Sequence, residues 1–173
     1  MDSVKIGILS DVHKQRGLQQ DAIAHLKDRG ASFLIHAGDF STKQNLQDLK
    51  DSGIAYCAVF GNNDAALLEC KEQFEIHKEP HYFKYRGIKF KLMHIPFYLS
   101  GDVDVVIFGH THAFECEKKG NTLFINPGEV CARNKPISEY ALLEISDKHY
   151  YINYFYKELE SAKLYTKEFQ YDR

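Results

Sequence analysis

At 173 residues, 44% hydrophobic and 27% charged, the chain has a globular composition and enough length for one substantial core, so a single domain over residues 1–173 is expected. No apolar run approaches the roughly 20 residues of a membrane span. A net charge of -2, with lysines and acids interspersed, argues against the broad positive field that wraps nucleic acid or coats an anionic membrane, so stable binding of either is not expected.

In chain order, Met1-Asp2-Ser3-Val4-Lys5 enters a strand-like run without a basic n-region or cleavage site, which points to the cytoplasm. Cys57, Cys70, Cys116 and Cys131 show no CxxC spacing, so they read as free thiols filling small core gaps. Val4 to Ser10 is a first central strand running into Asp11-Val12-His13. Leu18, Ala22, Ile23 and Leu26 recur at helical spacing up to Arg29, and Gly30 is placed to end that helix. A second strand, Ser32 to Ala37, delivers Gly38-Asp39. Ser41-Thr42-Lys43-Gln44 has the form of a capping box, opening a helix with Leu46 and Leu49 on one face. The third strand, Ile54 to Phe60, ends in Gly61-Asn62-Asn63-Asp64, after which a short helix from Ala65 to about Phe74 is expected.

Beyond Pro80 the pattern turns to hairpins. Tyr82 to Tyr85 and Ile88 to Met93 flank Arg86-Gly87, and the second of these strands delivers His94. Val103 to Phe108 is a continuous apolar run, read as a strand buried on both faces, and it ends in Gly109-His110-Thr111-His112. Phe114 to Lys118 and Thr122 to Asn126 form a hairpin around Gly120-Asn121, followed by a Pro127-Gly128 turn. Glu139 to Ile145 and Tyr150 to Tyr156 form another around Ser146-Asp147-Lys148. Early strand-helix units with later hairpins predict an α/β chain of two packed mixed β-sheets flanked by helices, an α-β-β-α sandwich. Leu159, Ala162, Tyr165 and Phe169 make a loose helical stripe near the end, which docks either on the domain or on a partner; a homo-oligomer stays open.

Residues of one chemical kind gather at the strand ends: Asp11, His13, Asp39, Asn62, His94, His110 and His112. Ligands bind beyond the carboxyl ends of strands in open α/β sheets. The set offers oxygen and nitrogen without thiolate, which suits manganese, iron, zinc, nickel or cobalt better than a structural zinc finger. It is too large for one ion and fits two sharing a bridge, a role open to a carboxylate and closed to an imidazole. With Asp11, Asp39 and a bridging hydroxide, two divalent ions would leave about one positive charge, enough to attract a phosphate ester locally.

The order Asp11-x-His13, Gly38-Asp39, Gly61-Asn62-x-Asp64, His94 and Gly109-His110-x-His112 resembles the calcineurin-like metallophosphoesterases over nearly the whole chain, and its compact length is similar to their small bacterial and archaeal phosphodiesterase branch. The resemblance implies a metallophosphoesterase-like fold and a dinuclear centre of two divalent metal ions, with manganese foremost. Asp11, His13 and His112 would hold one ion, Asn62, His94 and His110 the other, and Asp39 both. It further implies hydrolysis of small phosphodiesters by in-line attack of a metal-bridging hydroxide, with Asp39, Asn62 and His13 nearest the chemistry. Two positions depart from the family. Many members have histidine where Asn63 stands, and an asparagine amide cannot protonate a leaving oxygen near neutral pH, which favours diesters and good leaving groups over alkyl monoesters. Ile95-Pro96 replaces the glycine and histidine that often follow the fourth-block histidine.

Other residues carry alternatives. Asp64 either orients a ligand histidine or caps a helix. Arg133 either contacts substrate phosphate beside Asn62 or forms a structural ion pair. His36 is out of strand phase with Gly38-Asp39 and reads as a packed histidine, while His25, His77, His81 and His149 read as surface residues. The competing function is a non-catalytic interaction scaffold on the same fold, similar to the metallophosphoesterase-like subunit of the retromer coat. Scaffolds of that type tend to lose a ligand, whereas all seven positions are filled here.

Overall fold

The computed structural model describes residues 3–173; Met1 and Asp2, on which the leaderless reading partly rests, lie outside the described residues. Strand alternation sets the architecture. In β1 (Val4–Leu9), Val4, Ile6 and Ile8 face one side and Leu9 the other. The same split recurs in β2 (Phe33–His36) and β3 (Ala55–Val59), where Phe33, Ile35, Cys57 and Val59 join the first set and Leu34 and Ala58 the second. The first set becomes the core between two sheets. The second packs under α1 (Arg16–Asp28), α2 (Lys43–Asp51) and a 3-10 segment at Ala65–Gln73.

The larger sheet has seven strands in the order β12-β11-β10-β1-β2-β3-β4, with β4 at Ile76–His77, β10 at Ile137–Ile145, β11 at His149–Glu158 and β12 at Leu164–Asp172. The smaller has five, ordered β5-β6-β7-β9-β8, from β5 (His81–Tyr85), β6 (Ile88–Leu92), β7 (Val105–Ile107), β8 (Phe114–Lys119) and β9 (Thr122–Pro127). The expected pair of packed mixed sheets is therefore present. Among the described residues the helices cover the larger sheet, while the outer face of the smaller carries Met93, Val106 and Phe108. Beside them the loop after β6 folds over fully buried Lys91, whose Nζ donates to the carbonyls of Tyr98 (3.1 Å) and Ser100 (2.9 Å) and pairs with Asp102.

β7 is shorter than the apolar run suggested, yet it is wholly buried and pairs in parallel with both β6 and β9. It sends Val105 and Ile107 into the inter-sheet core and Val106 to the outer face. α1 ends as expected, with Gly30 N–H donating to Lys27 (2.9 Å) and Ala31 N–H to Leu26 (3.0 Å), the paired bonds of a Schellman motif.

Four expectations need correction. The capping box at Ser41 is displaced by one residue: Thr42 is the N-cap and accepts from Asn45 N–H at 3.4 Å. The segment after Asp64 is 3-10, not α-helical, and Asp64 makes no side-chain cap bond. The C-terminal stripe is a strand, not a helix. Tyr165 and Phe169 lie four residues apart, a spacing that satisfies a period of two as well as 3.6, and β12 pairs antiparallel with β11, setting Tyr165 opposite Tyr156 and Phe169 opposite Ile152. Docking on the domain itself is met: Phe169 lies 5.5 Å from Phe114, and Tyr171 donates to the Cys116 carbonyl at 2.9 Å. Finally, His25, His77, His81 and His149 are half-buried, with His25 edge-on to Phe155 at 4.7 Å and His77 stacked on His81 at 3.7 Å.

Ile107→Ala removes a fully buried side chain from the inter-sheet core. It is expected to lower the unfolding free energy by about 2–5 kcal/mol, measured by chemical denaturation.

Candidate metal centre

The carboxyl ends of β1, β2, β3, β6 and β7 from both sheets meet at one place, and their loops hold the seven strand-end residues. Five of these sit in the left-handed backbone region: Asp11 (φ 56°), His13 (50°), Asp39 (63°), His110 (68°) and His112 (59°). Non-glycine residues reach that region at a cost, and such strain collects at functional sites where neighbours enforce it. Here the neighbours are backbone groups. Asp11 N–H donates to Gly38 O (3.0 Å), Val12 and His13 N–H to Asp39 O (3.1 and 2.9 Å), and Gly109 N–H to His94 O (3.0 Å). Two glycines permit the approach: a Cβ on Gly61 would stand 2.3 Å from Asp39 N, and one on Gly109 would stand 2.1 Å from Ser10 Oγ.

The side chains fall into two lobes around Asp39. In one, His112 Nε2 is 3.2 Å from Asp11 Oδ1 and the His13 and His112 rings stack at 5.4 Å. In the other, Asn62 Oδ1 lies 2.9 Å from His94 Nε2 and 3.1 Å from His110 Nδ1, and those two nitrogens are 3.3 Å apart. One oxygen, Asp39 Oδ2, sits between the lobes, 3.6 Å from His13 Nε2 and 3.4 Å from His94 Nε2. Asp11, Asp39 and His94 bring ligand atoms within 4.8 Å of one another, as do His13, His112 and Cys131.

This arrangement suits cations. Asp11 Oδ1 and His13 Nε2 are buried without a hydrogen-bond partner. His94 Nδ1 faces the Ala37 carbonyl (2.7 Å) and His112 Nδ1 faces the Glu129 carboxylate, so in the neutral rings both Nδ1 atoms carry the proton and both Nε2 lone pairs point at oxygens. Lone pairs facing carboxylates repel unless a cation or a proton stands between them. Accordingly His112 is shifted up by its contact with Asp11, burial opposing and Glu129 assisting. His94 is also shifted up: burial pulls it down, but Asp39 and Asp11 outweigh that. Burial pushes Asp39 upward, yet His94 and the N–H groups of Asn63 hold it well below the usual carboxylate range. Asp11 is likewise held low by His112 against the effect of burial. The donor set thus fits divalent metal ions.

Asp64 meets neither expectation as written. It bonds no histidine; its buried carboxylate accepts from the backbone N–H of Asp39 (2.8 Å), Gly61 (2.7 Å) and Ser41 (2.8 Å), tying the loops after β2 and β3 together. Arg133 forms no ion pair with a described residue and lies 3.3 Å from His112 Nε2, exposed at the mouth of the centre. His36 is packed as expected, stacked on Phe40 at 3.8 Å, and burial pushes it down to about 3.

Three contributors were not anticipated. Glu129 is fully buried, accepts from His112 Nδ1, and also takes the N–H groups of Asn134 (2.8 Å) and Lys135 (2.9 Å). Glu79 accepts from the backbone N–H of His94 and, at 2.8 Å, of Ile95. Asn63 donates from its side-chain amide to Asp39 Oδ2 (2.8 Å) and from its backbone to Asp39 Oδ1 (2.9 Å). Glu129 follows the carboxyl end of β9, so the rule that found the other acids would have found it. Glu79 stands on a connection between sheets, where no local pattern marks it.

A family model for the calcineurin-like phosphoesterase superfamily domain matches residues 4–148. A phosphodiesterase of Methanocaldococcus jannaschii is 30% identical over 161 residues, covering 85% of this chain and 96% of that protein. Among solved structures, vacuolar protein sorting 29 from Cryptosporidium parvum superposes with a TM-score of 0.80 at 16% identity, covering 99% of each chain. An archaeal phosphodiesterase superposes with a TM-score of 0.73 at 26% identity, covering 96% of this chain and 100% of its own.

Glu129→Gln keeps the shape but loses the carboxylate that orients His112. A metal titration is expected to show affinity weakened about 10- to 100-fold.

Proposed function

Because this chain belongs to the calcineurin-like phosphoesterase family, we propose that it is a metal-dependent phosphodiesterase with a dinuclear centre. Asp11, His13 and His112 would hold one divalent ion, Asn62, His94 and His110 the other, and Asp39 both; manganese is the first candidate, with nickel, cobalt, zinc or iron as alternatives. The observation that carries this reading is the position of Asp39 Oδ2, within 3.6 Å of a histidine nitrogen in each lobe. Two ions there would supply a hydroxide for in-line attack on phosphorus and neutralise charge on the phosphoryl oxygens.

The protein's own groups do the rest. Asp39, ionised and held by Asn63, keeps the lobes together. Asn62 adds a ligand oxygen without adding negative charge, which preserves attraction for an anionic ester. The Arg133 guanidinium, which forms no ion pair among the described residues and lies 3.3 Å from His112 Nε2, is placed to meet a phosphate oxygen. Asn63 has no acidic proton near neutral pH and its amide is engaged by Asp39, so it gives the leaving oxygen no proton. That favours diesters and aryl esters.

A scaffold role on the same fold is the second reading, favoured by the likeness to vacuolar protein sorting 29. The complete set of seven donor residues weighs against it, and metal analysis separates the two, because a scaffold need not retain two tightly bound ions.

Metal-loaded protein is expected to hydrolyse a bis-nitrophenyl phosphate diester; no turnover with manganese, nickel, cobalt or zinc would sink the reading. Asp39→Asn is expected to be the most damaging ligand substitution in that assay, since it weakens both lobes at once, and wild-type turnover would refute the bridging role. Activity is also expected to fall below neutral pH. His94 and His112 are shifted above the ordinary histidine value of about 6.5, so as pH falls protons occupy these ligands before they would occupy free histidines, and metal is displaced. Activity unchanged at about pH 5 would contradict this, because an ordinary histidine is mostly protonated there.

A further inference from the structure

A second group of ligand-type side chains lies at the open edge where the two sheets meet, and the phosphoesterase chemistry does not use it. Cys57 on β3, His77 on β4 and His81 on β5 bring a sulfur and two ring nitrogens within 4.8 Å of one another. The topology produces this convergence, because β4 is the edge strand of the seven-stranded sheet and β5 that of the five-stranded one. Cys57 and Val59 face the inter-sheet core; His77 is the register partner of Val59, and His81 of Leu92, which lies in the same core. Register partners share a face, so all three groups point into the gap from different strands. The imidazoles stack with planes 1° apart, and Glu75 Oε1 lies 2.7 Å from His77 Nε2. A carboxylate there accepts the Nε2–H and leaves Nδ1 of His77 free as a donor atom. Cys57 is buried while both histidines are half-buried, so the group is open to solvent on one side.

We propose that Cys57, His77 and His81 form a zinc site, distinct from the phosphoesterase centre, that clips the two sheets together at this edge. One thiolate and two neutral imidazoles are a ligand set that zinc takes in tetrahedral geometry, with water in the fourth position. Occupancy is a proton exchange: the Cys57 S–H bond breaks, a sulfur–zinc bond forms and the proton goes to solvent. Burial, with Glu75 adding to it, pushes the thiol up to about 12. The ion therefore displaces a firmly held proton, and its affinity rises with pH. An ion lies in the plane of each imidazole it binds, so the parallel rings must tilt toward each other, which their half-exposed position allows. Between the two histidines stands Glu79, whose carboxylate bonds the backbone of His94 and Ile95, so the clip steadies a segment that reaches the other centre.

Cobalt(II) titration of a Cys131→Ser variant tests this, because Cys131 is the thiol beside the phosphoesterase centre. The expected result is a cobalt–thiolate charge-transfer band in the near ultraviolet that zinc abolishes, that is lost when Cys57→Ser is added, and that His81→Ala weakens. Glu75→Gln is expected to weaken cobalt binding about 10- to 100-fold. The His81 variant alters a half-buried side chain, so it keeps the test decisive where the Cys57 variant fails to fold. Absence of a thiolate band in the Cys131→Ser protein, or the same band and midpoint after His81→Ala, overturns the proposal. The band reports the Cys57 sulfur, so its outcome is independent of whether the phosphoesterase centre loads.

Discussion

Two buried carboxylates kept ionised side by side, Asp11 and Asp39, are the constraint on which the rest depends. Burial alone would neutralise them. They stay charged because donors surround them: Ser10 Oγ and His110 N–H at Asp11, and both N–H groups of Asn63 at Asp39. Ser10 is the chain neighbour of Asp11, but His110 and Asn63 sit on loops that have to be brought in from other strands. The left-handed residues, the close-approach glycines and the Asp64 tie between loops all follow from that requirement. A single residue slipped in any of these turns would leave a buried charge facing nothing, which costs several kcal/mol.

Most of this was legible in the sequence because the fold puts its chemistry at strand ends and strands announce themselves by apolar runs. Asp11-x-His13, Gly38-Asp39 and Gly109-His110-x-His112 each follow such a run directly; the first two meet because β1 and β2 are parallel neighbours, and the third joins them because the second sheet packs with the carboxyl end of β7 at the same edge. What was not legible depends on contacts between distant segments. Asp64 read either as a helix cap or as a partner of a ligand histidine because local sequence cannot reveal that three N–H groups from two loops arrive at its carboxylate. The C-terminal strand looked helical because Tyr165 and Phe169 fit two periods, and only pairing with β11 decides between them. His77 and His81 looked like surface residues because their burial comes from two sheet edges closing on one another, an event with no counterpart in either local stretch.

The likeness to both phosphodiesterases and a vacuolar sorting protein shows how little of the function resides in the sheets. The two packed sheets and the helical layer are common to a phosphodiesterase and a vacuolar protein sorting protein. The chemistry of this chain sits in its loops: seven donor residues, a buried Glu129 behind one histidine, and Arg133 exposed beside His112. Five of those donor residues are held in a costly left-handed conformation, the kind of strain that collects at functional sites.

Asn63 illustrates how tightly substrate range and metal support are linked. Its amide is spent on Asp39, so it is at once the group that cannot donate a proton to a leaving oxygen and one of the groups that keeps the central carboxylate charged. A mutation that installed an acid at this position would loosen the carboxylate it was meant to assist. For the diesterase proposed above, a change toward unactivated monoesters would therefore call for two substitutions, the new acid and a donor restored to Asp39.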